Sequence, residues 1–175
     1  MTQGTQLTKG TRIYFALPNS SSEILQVACP TAIPDLSAGE KPRFSITCLD
    51  STGEEYRDGL PDPPAMTIPI NFIPRSASHQ ALIEANALGS AQVMPFMVVM
   101  SDDDGTPGAP PTTLDSDGYL VSPGPTSVGF KAYVSNWVLT ASGSSEIWRA
   151  NLTLQLQLLD GKTDLDYDLP VADLG

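Results

Sequence analysis

From Ile147 to Leu158 the chain alternates. Leu152, Leu154, Leu156 and Leu158 fall on one side; Asn151, Thr153, Gln155 and Gln157 fall on the other. Side chains of an extended strand point to opposite faces in turn, so a period of two predicts a β-strand here. One face of it is greasy. The other is uncharged but able to hydrogen-bond. A greasy face cannot stay in water, so the strand demands a sheet and something packed on it.

The same reasoning locates further strands. Arg12–Leu17 (RIYFAL) and Glu23–Cys29 (EILQVAC) are rich in β-formers. In Phe44–Leu49, Phe44, Ile46 and Cys48 share one face and Ser45, Thr47 and Leu49 the other. In Met66–Ile73, Met66, Ile68, Ile70 and Phe72 alternate with Thr67, Pro69 and Asn71. Pro69 has no amide donor, which predicts a sheet edge or a bulge. Val93–Met100 (VMPFMVVM) is almost wholly apolar, the mark of a strand covered on both faces. Phe130–Leu139 (FKAYVSNWVL) is another strand.

One helix is expected, over Ala77–Leu88. Ser76 or Ser78 is placed to cap its start, and Gly89 to end it. Ala77, Ala81, Leu82, Ala85 and Leu88 form its apolar face. Seven strands and one helix predict a mainly β fold: an antiparallel β-sandwich or partly closed barrel with one flanking α-helix.

The 175 residues suffice for one domain, expected over residues 1–160. Residues 1–11 read as a polar arm. Residues 50–64 and 101–125 read as long loops, the second with five prolines and four glycines. Residues 161–175 complete an acidic C-terminal tail. Ten of the 20 acids lie in the 101–125 loop and in residues 160–175.

Charge narrows the function. With 9 basic residues and a net charge of -11, the chain has no basic footprint for binding nucleic acid, and an anionic membrane surface is disfavoured. No run approaches the ~18 apolar residues of a membrane span. The N-terminal MTQGTQLTKGTR has no apolar core of the kind a signal peptide carries, which suggests a soluble protein made in the cytoplasm. Cys29 and Cys48 sit in apolar, strand-like runs, where a buried free thiol is the usual state and a bridge between them the alternative.

Chemistry finds little foothold. His79 is the sole histidine and reads as a solvated residue of the helix surface. The run at 102–105 is DDDG, but an EF-hand starting at Asp102 requires a glutamate where Thr113 stands. Glu54 and Glu55 are adjacent, so on an extended chain they point apart and make a poor acid–base pair. No catalytic, cofactor-binding or metal-binding residue is assigned, and no enzyme is expected. The row Asn151, Thr153, Gln155, Gln157 is either a solvent-facing sheet or a wall past which a polyanion moves without sticking.

The segment ITCLDSTGEEYRDGL (46–60) resembles a recurring stretch of the tail tube proteins (major tail proteins) of long non-contractile phage tails. The matching positions are Thr47, Leu49, Asp50, Tyr56, Arg57, Gly59 and Leu60. Downstream, MTIPINFIP, the SASHQALIEANALG helix, an apolar strand, FKAYVSNW and a last alternating strand follow in a similar order. The resemblance spans roughly residues 10–160. Ala132 stands where that family commonly has glycine, the 101–125 stretch is longer, and the acidic tail has no counterpart.

The resemblance implies a structural subunit of the virion, assembled in the host cytoplasm. Homo-hexameric rings would stack into a tube that conducts phage DNA without specific binding. Tape measure, tail terminator and tip proteins would be its partners, with no cofactor and no membrane. It places Asp50, Glu54, Glu55, Tyr56, Arg57 and Asp58 in an inter-ring contact, and Asn151, Thr153, Gln155 and Gln157 at an acidic or polar lumen. The alternatives are a β-sandwich decoration or adhesin module, with 101–125 as its recognition loop, and the tube protein of a contractile or type VI secretion system.

Overall fold

The computed structural model describes residues 9–18, 23–37, 39–47, 53–59, 62, 64–101, 106–123, 126–141, 147–157 and 166–168. Its strands are β1 Arg12–Ala16, β2 Ile24–Gln26, β3 Arg43–Ser45, β4 Tyr56–Asp58, β5 Ala65–Asn71, β6 Met94–Val99, β7 Thr113–Leu114, β8 Leu120–Val121, β9 Ser127–Thr140, β10 Arg149–Leu156 and β11 Asp166–Asp168; the helix is α1, Ala77–Leu88.

One antiparallel sheet carries the molecule, in the order β2-β1-β6-β9-β10-β5. β9 serves two partners along its 14 residues: Ser127–Ala132 meet β6, and Ala132–Thr140 meet β10. β11 joins the first residues of β9, Ser127 to Gly129. The sheet then curls until its ends touch. The chain leaving β2 returns to β5, where Asn71 N–H donates to Cys29 C=O (3.0 Å) and Thr31 N–H to Pro69 C=O (2.8 Å). The result is the expected partly closed barrel, sealed at its seam by a few bonds. β5 is the last strand of the path, so Pro69 lies at an edge, as its missing donor requires.

The concave faces share one core. β10 contributes Leu152, Leu154 and Leu156, β5 contributes Met66, Ile68 and Ile70, and α1 contributes Leu82 and Ala85. Phe15, Phe96 and Phe130 stack across β1, β6 and β9 with ring centroids 5.7 Å apart. β6 is buried along its whole length, and the reason is the 101–125 stretch. That stretch carries the β7–β8 hairpin, whose Leu120 packs with Tyr14, Ala16, Met97 and Val99 on the convex side. Asp115 Oδ1 accepts from the amides of Asp117 (2.9 Å) and Tyr119 (2.7 Å), and Gly118 takes φ 77° to close the turn.

Four expectations need correction. His79 is fully buried, not solvated. Its Nδ1 accepts from Ile73 N–H (3.0 Å), while Nε2–H donates to Ala28 C=O (2.9 Å). Its ring also packs beside Phe72 and Trp137. The helix is therefore rotated from the apolar face expected. Ser78, His79, Leu82 and Ala85 are inside, whereas Ala77 and Leu88 are exposed. Neither serine caps α1 through its side chain: Ser78 Oγ accepts from Ala28 N–H (3.3 Å) and meets Ser76 Oγ (2.9 Å).

Cys29 is exposed, because the chain kinks there (φ 50°) on its way from β2 to β5; Cys48 lies outside the described residues. Phe44 and Ile46, which the alternation places on one face of their strand, are surface residues.

Candidate functional site

Two features stand apart from the core: an uncharged wall and an arm. The wall is the convex face of β10 and its neighbours. Leu152, Leu154 and Leu156 point inward, which turns Asn151, Thr153, Gln155 and Gln157 outward. Across the sheet Asn151 meets Val138 and Pro69, Thr153 meets Asn136 and Thr67, and Gln155 meets Tyr133 and Ala65. None of these nine residues is charged. A bulge between Thr153 and Leu154 leaves Ser135 unpaired in the ladder, and its hydroxyl donates to Thr153 C=O (3.2 Å).

Charge appears only where the wall ends. Arg149 stands exposed at one end, opposite Thr140. At the other, Lys131 lies 4.5 Å from the centre of the Tyr119 ring and donates to Asp117 C=O. The wall itself is neutral, so the acidity expected there is not on these residues.

The arm is built from β3 and β4. Arg43 pairs with Asp58, Phe44 with Arg57 and Ser45 with Tyr56. The ladder continues through Ile46 N–H to Glu55 C=O (2.9 Å) and, at its base, Gly59 N–H to Pro42 C=O (2.6 Å). A Cβ on Gly59 would come within 2.5 Å of the exposed Phe44 ring, so a larger residue there requires that ring to shift. Neither strand pairs with the main sheet. An isolated two-stranded ribbon is marginal in water, and this one exposes 58% of Phe44, 43% of Ile46 and 46% of Tyr56.

Four of the expected arm residues have visible local roles. Tyr56 O–H donates to Glu54 Oε2 (2.5 Å). Arg43 lies over the Tyr56 ring, 5.0 Å from its centre, and 3.8 Å from the Asp58 carboxylate. The Glu54 bond, with slight desolvation, raises the Tyr56 phenol above its ordinary 10.0. Glu55 N–H donates to Thr47 Oγ1 (2.9 Å). Arg57 is exposed beside Phe44, and Asp50 lies outside the described residues.

The fold thus brings Glu54, Glu55, Tyr56, Arg57 and Asp58 together in one ribbon and Asn151, Thr153, Gln155 and Gln157 on one face. It keeps the two groups apart on different sheets. Among the described residues no cluster of His, Cys, Asp or Glu is arranged to hold a metal ion. Residues 102–105 of the DDDG run lie outside them. No described helix is long and apolar enough to cross a membrane.

Comparison with known proteins gives these features a context. A family model described as phage tail tube, TTP, lambda-like, matches residues 4–158. A curated relative, Structural protein 3 of Pseudomonas phage PAJU2, is 31% identical over 110 residues, which is 63% of this chain and 63% of that protein's length.

Among solved structures, the SPP1 tail tube superposes with a TM-score of 0.54 at 11% identity, covering 87% of this chain and 76% of that one. The sheath/tube terminator of PVC, an extracellular contractile injection system, superposes with a TM-score of 0.59 at 10% identity, covering 90% and 96%. At such identities these two structures speak for the fold alone.

Proposed function

The chain belongs to the lambda-like phage tail tube family, a structural and not an enzymatic one, and on that premise we propose that it forms hexameric rings stacked into the tube of a long non-contractile tail. It is a component of the virion. The β10 wall lines the lumen, and the β3–β4 arm reaches from one ring to the next. Assembly takes place in the host cytoplasm. The tube is built along a tape measure protein and closed by terminator and tip proteins. No cofactor takes part.

The observation that carries this reading is the neutrality of the wall. Nine facing residues on β5, β9 and β10 carry no charge in a chain of net charge -11. DNA brings one negative charge per ~1.7 Å of axis, so a surface rich in lysine or arginine would hold it through released counterions. A wall of amides, hydroxyls and small apolar groups offers no such pairing, and the surplus acid elsewhere repels the duplex. The genome slides; the protein does no chemistry.

The arm supports the stacking. Its apolar side chains Phe44, Ile46 and Tyr56 are exposed, and sibling copies are the economical cover in a repeating tube. Likeness of fold to the PVC terminator makes the tube of a contractile system the second reading, which requires a sheath partner.

Negative-stain microscopy of the concentrated protein tests the proposal. Stacked rings with a central hole are expected, and a protein that stays monomeric at every concentration overturns it. The lumen is tested separately. Gln155→Lys with Gln157→Lys is expected to leave tubes intact and cut infectivity; wild-type infectivity removes β10 from the lumen.

A further inference from the structure

The barrel end at Asn71 and Arg149 has an exposed apolar surface that neither the core nor the wall explains. The chain enters β5 at Ala65. At the other end of β5, Asn71 pairs with Arg149, and Arg149 with Thr140. Six residue rises separate the two ends, roughly 20 Å along the strand. At that far mouth Leu139 is 45% exposed, Ile73 40%, Ile147 60% and Trp148 56%.

The patch is anchored. Phe72 N–H donates to Trp148 C=O (2.8 Å), and Phe72 packs edge-on to Trp137 (6.1 Å between centroids) above the buried His79. The apolar column of the core runs out through this mouth and ends in solvent.

Charge marks the same place. Arg75 and Arg149 are both exposed at this mouth, two of only nine basic residues, and neither is in an ion pair among the described residues. On the arm, the register puts Glu55 on the same side of the ribbon as Phe44 and Ile46. The arm therefore offers, on one side of its ribbon, two apolar side chains, the Glu55 carboxylate and the Arg57 guanidinium. The mouth offers four apolar side chains and two guanidinium groups.

Resting on the stacked-tube reading, we infer that the mouth formed by Ile73, Leu139, Ile147 and Trp148, with Arg75 and Arg149, is the acceptor for the arm of a second copy of this chain. Donor and acceptor occupy different surfaces, so the contact is head-to-tail and repeats without end along an axis. Trp148 is its anchor, a large indole already ordered through its own carbonyl. Arg149 and Arg75 receive Glu55, which fixes the register and rejects the reversed orientation.

Cross-linking between differently marked copies tests this. In a Cys29→Ser, Cys48→Ser background, copies bearing Phe44→Cys are mixed with copies bearing Trp148→Cys, assembled, and treated with a short bis-maleimide. A covalent dimer is expected from the mixture and from neither variant alone. Pairing Phe44→Cys with Val121→Cys, which lies on the β7–β8 hairpin, is expected to give none. Tubes that form but link Phe44 to position 121 and not to 148 overturn the acceptor while leaving the tube intact. Failure of the wild-type chain to make tubes at all removes both.

A charge swap gives an independent readout. Arg149→Glu is expected to raise the concentration needed for assembly about tenfold, and adding Glu55→Arg to restore it. Equal impairment in single and double variants, with both monomers folded by circular dichroism, overturns the assigned register.

Discussion

In β10, Leu152, Leu154 and Leu156 alternate with polar residues, and each is buried. In β3 and its continuation, Phe44 and Ile46 alternate with Ser45 and Thr47 in the same way, and both are exposed. Alternation encodes that a strand has two unlike faces. It does not encode what covers the apolar one. β10 lies between β9 and β5, so the curl of the sheet covers its leucines. The arm pairs only with itself among the described strands, and on the reading above its cover is another copy. An apolar stripe left uncovered within a stable subunit is a record of assembly rather than of folding.

Truncating an aromatic in each region breaks this comparison most directly. Phe130 is fully buried on β9, opposite Phe96 of β6, and its ring stacks on that of Phe96. Phe130→Ala is expected to cost about 3–5 kcal/mol, from lost burial plus the cavity left behind. Phe44→Ala is expected to change monomer stability by less than about 0.5 kcal/mol, as a surface substitution, and to abolish tubes. Urea denaturation of both variants, with microscopy alongside, decides it. A large stability loss from Phe44→Ala would mean that the arm is core after all.

The sequence disclosed the barrel better than it disclosed the surfaces. β1, β5, β6, β9, β10 and α1 were legible because each carries a period or an apolar run strong enough to fix its type. The outward polar row of β10 followed from the same period. The arm's strands were only half legible: β3 read as a strand, but Tyr56–Asp58 read as loop. The β7–β8 hairpin lay hidden among prolines, although Leu-Asp-Ser-Asp-Gly-Tyr-Leu (114–120) spells a turn between two apolar residues. The acceptor mouth had no signal at all. Its residues come from the β5–α1 turn and the facing ends of β9 and β10, which only the fold brings together.

His79 is the plainest case of what a local reading misses. Its partners are backbone groups of Ile73 and Ala28, the latter 51 positions away. No local pattern announces such a contact. His79 ties α1 and the turn before it to the segment that closes the barrel seam, so its removal leaves an amide and a carbonyl without partners and opens a hole beside Trp137. His79→Ala is expected to cost about 3 kcal/mol. The loss should appear first as faster amide exchange at Asn71 and Thr31, the seam donors, with the arm unaffected. Uniform exchange across the molecule would show that the seam is no weaker than the rest.

The smallest expected effect lies in the arm and sharpens the contrast by its smallness. Tyr56 is exposed, and its phenol ionises above the ordinary 10.0 because its proton is shared with Glu54. The folded form thus holds this proton more tightly than the unfolded chain does. The sign follows: the bond contributes below the unfolded pKa and is lost as pH rises through the folded one. Glu54→Gln leaves a neutral acceptor in place of the carboxylate and should bring the tyrosinate absorbance of Tyr56 back toward its ordinary midpoint in a spectrophotometric titration, without moving the urea midpoint at pH 7. A titration unchanged by Glu54→Gln would mean that the 2.5 Å bond does not persist in the free arm. A shifted urea midpoint would mean that the ribbon is coupled to the barrel, and the division between a self-sufficient core and a partner-dependent arm would then fail.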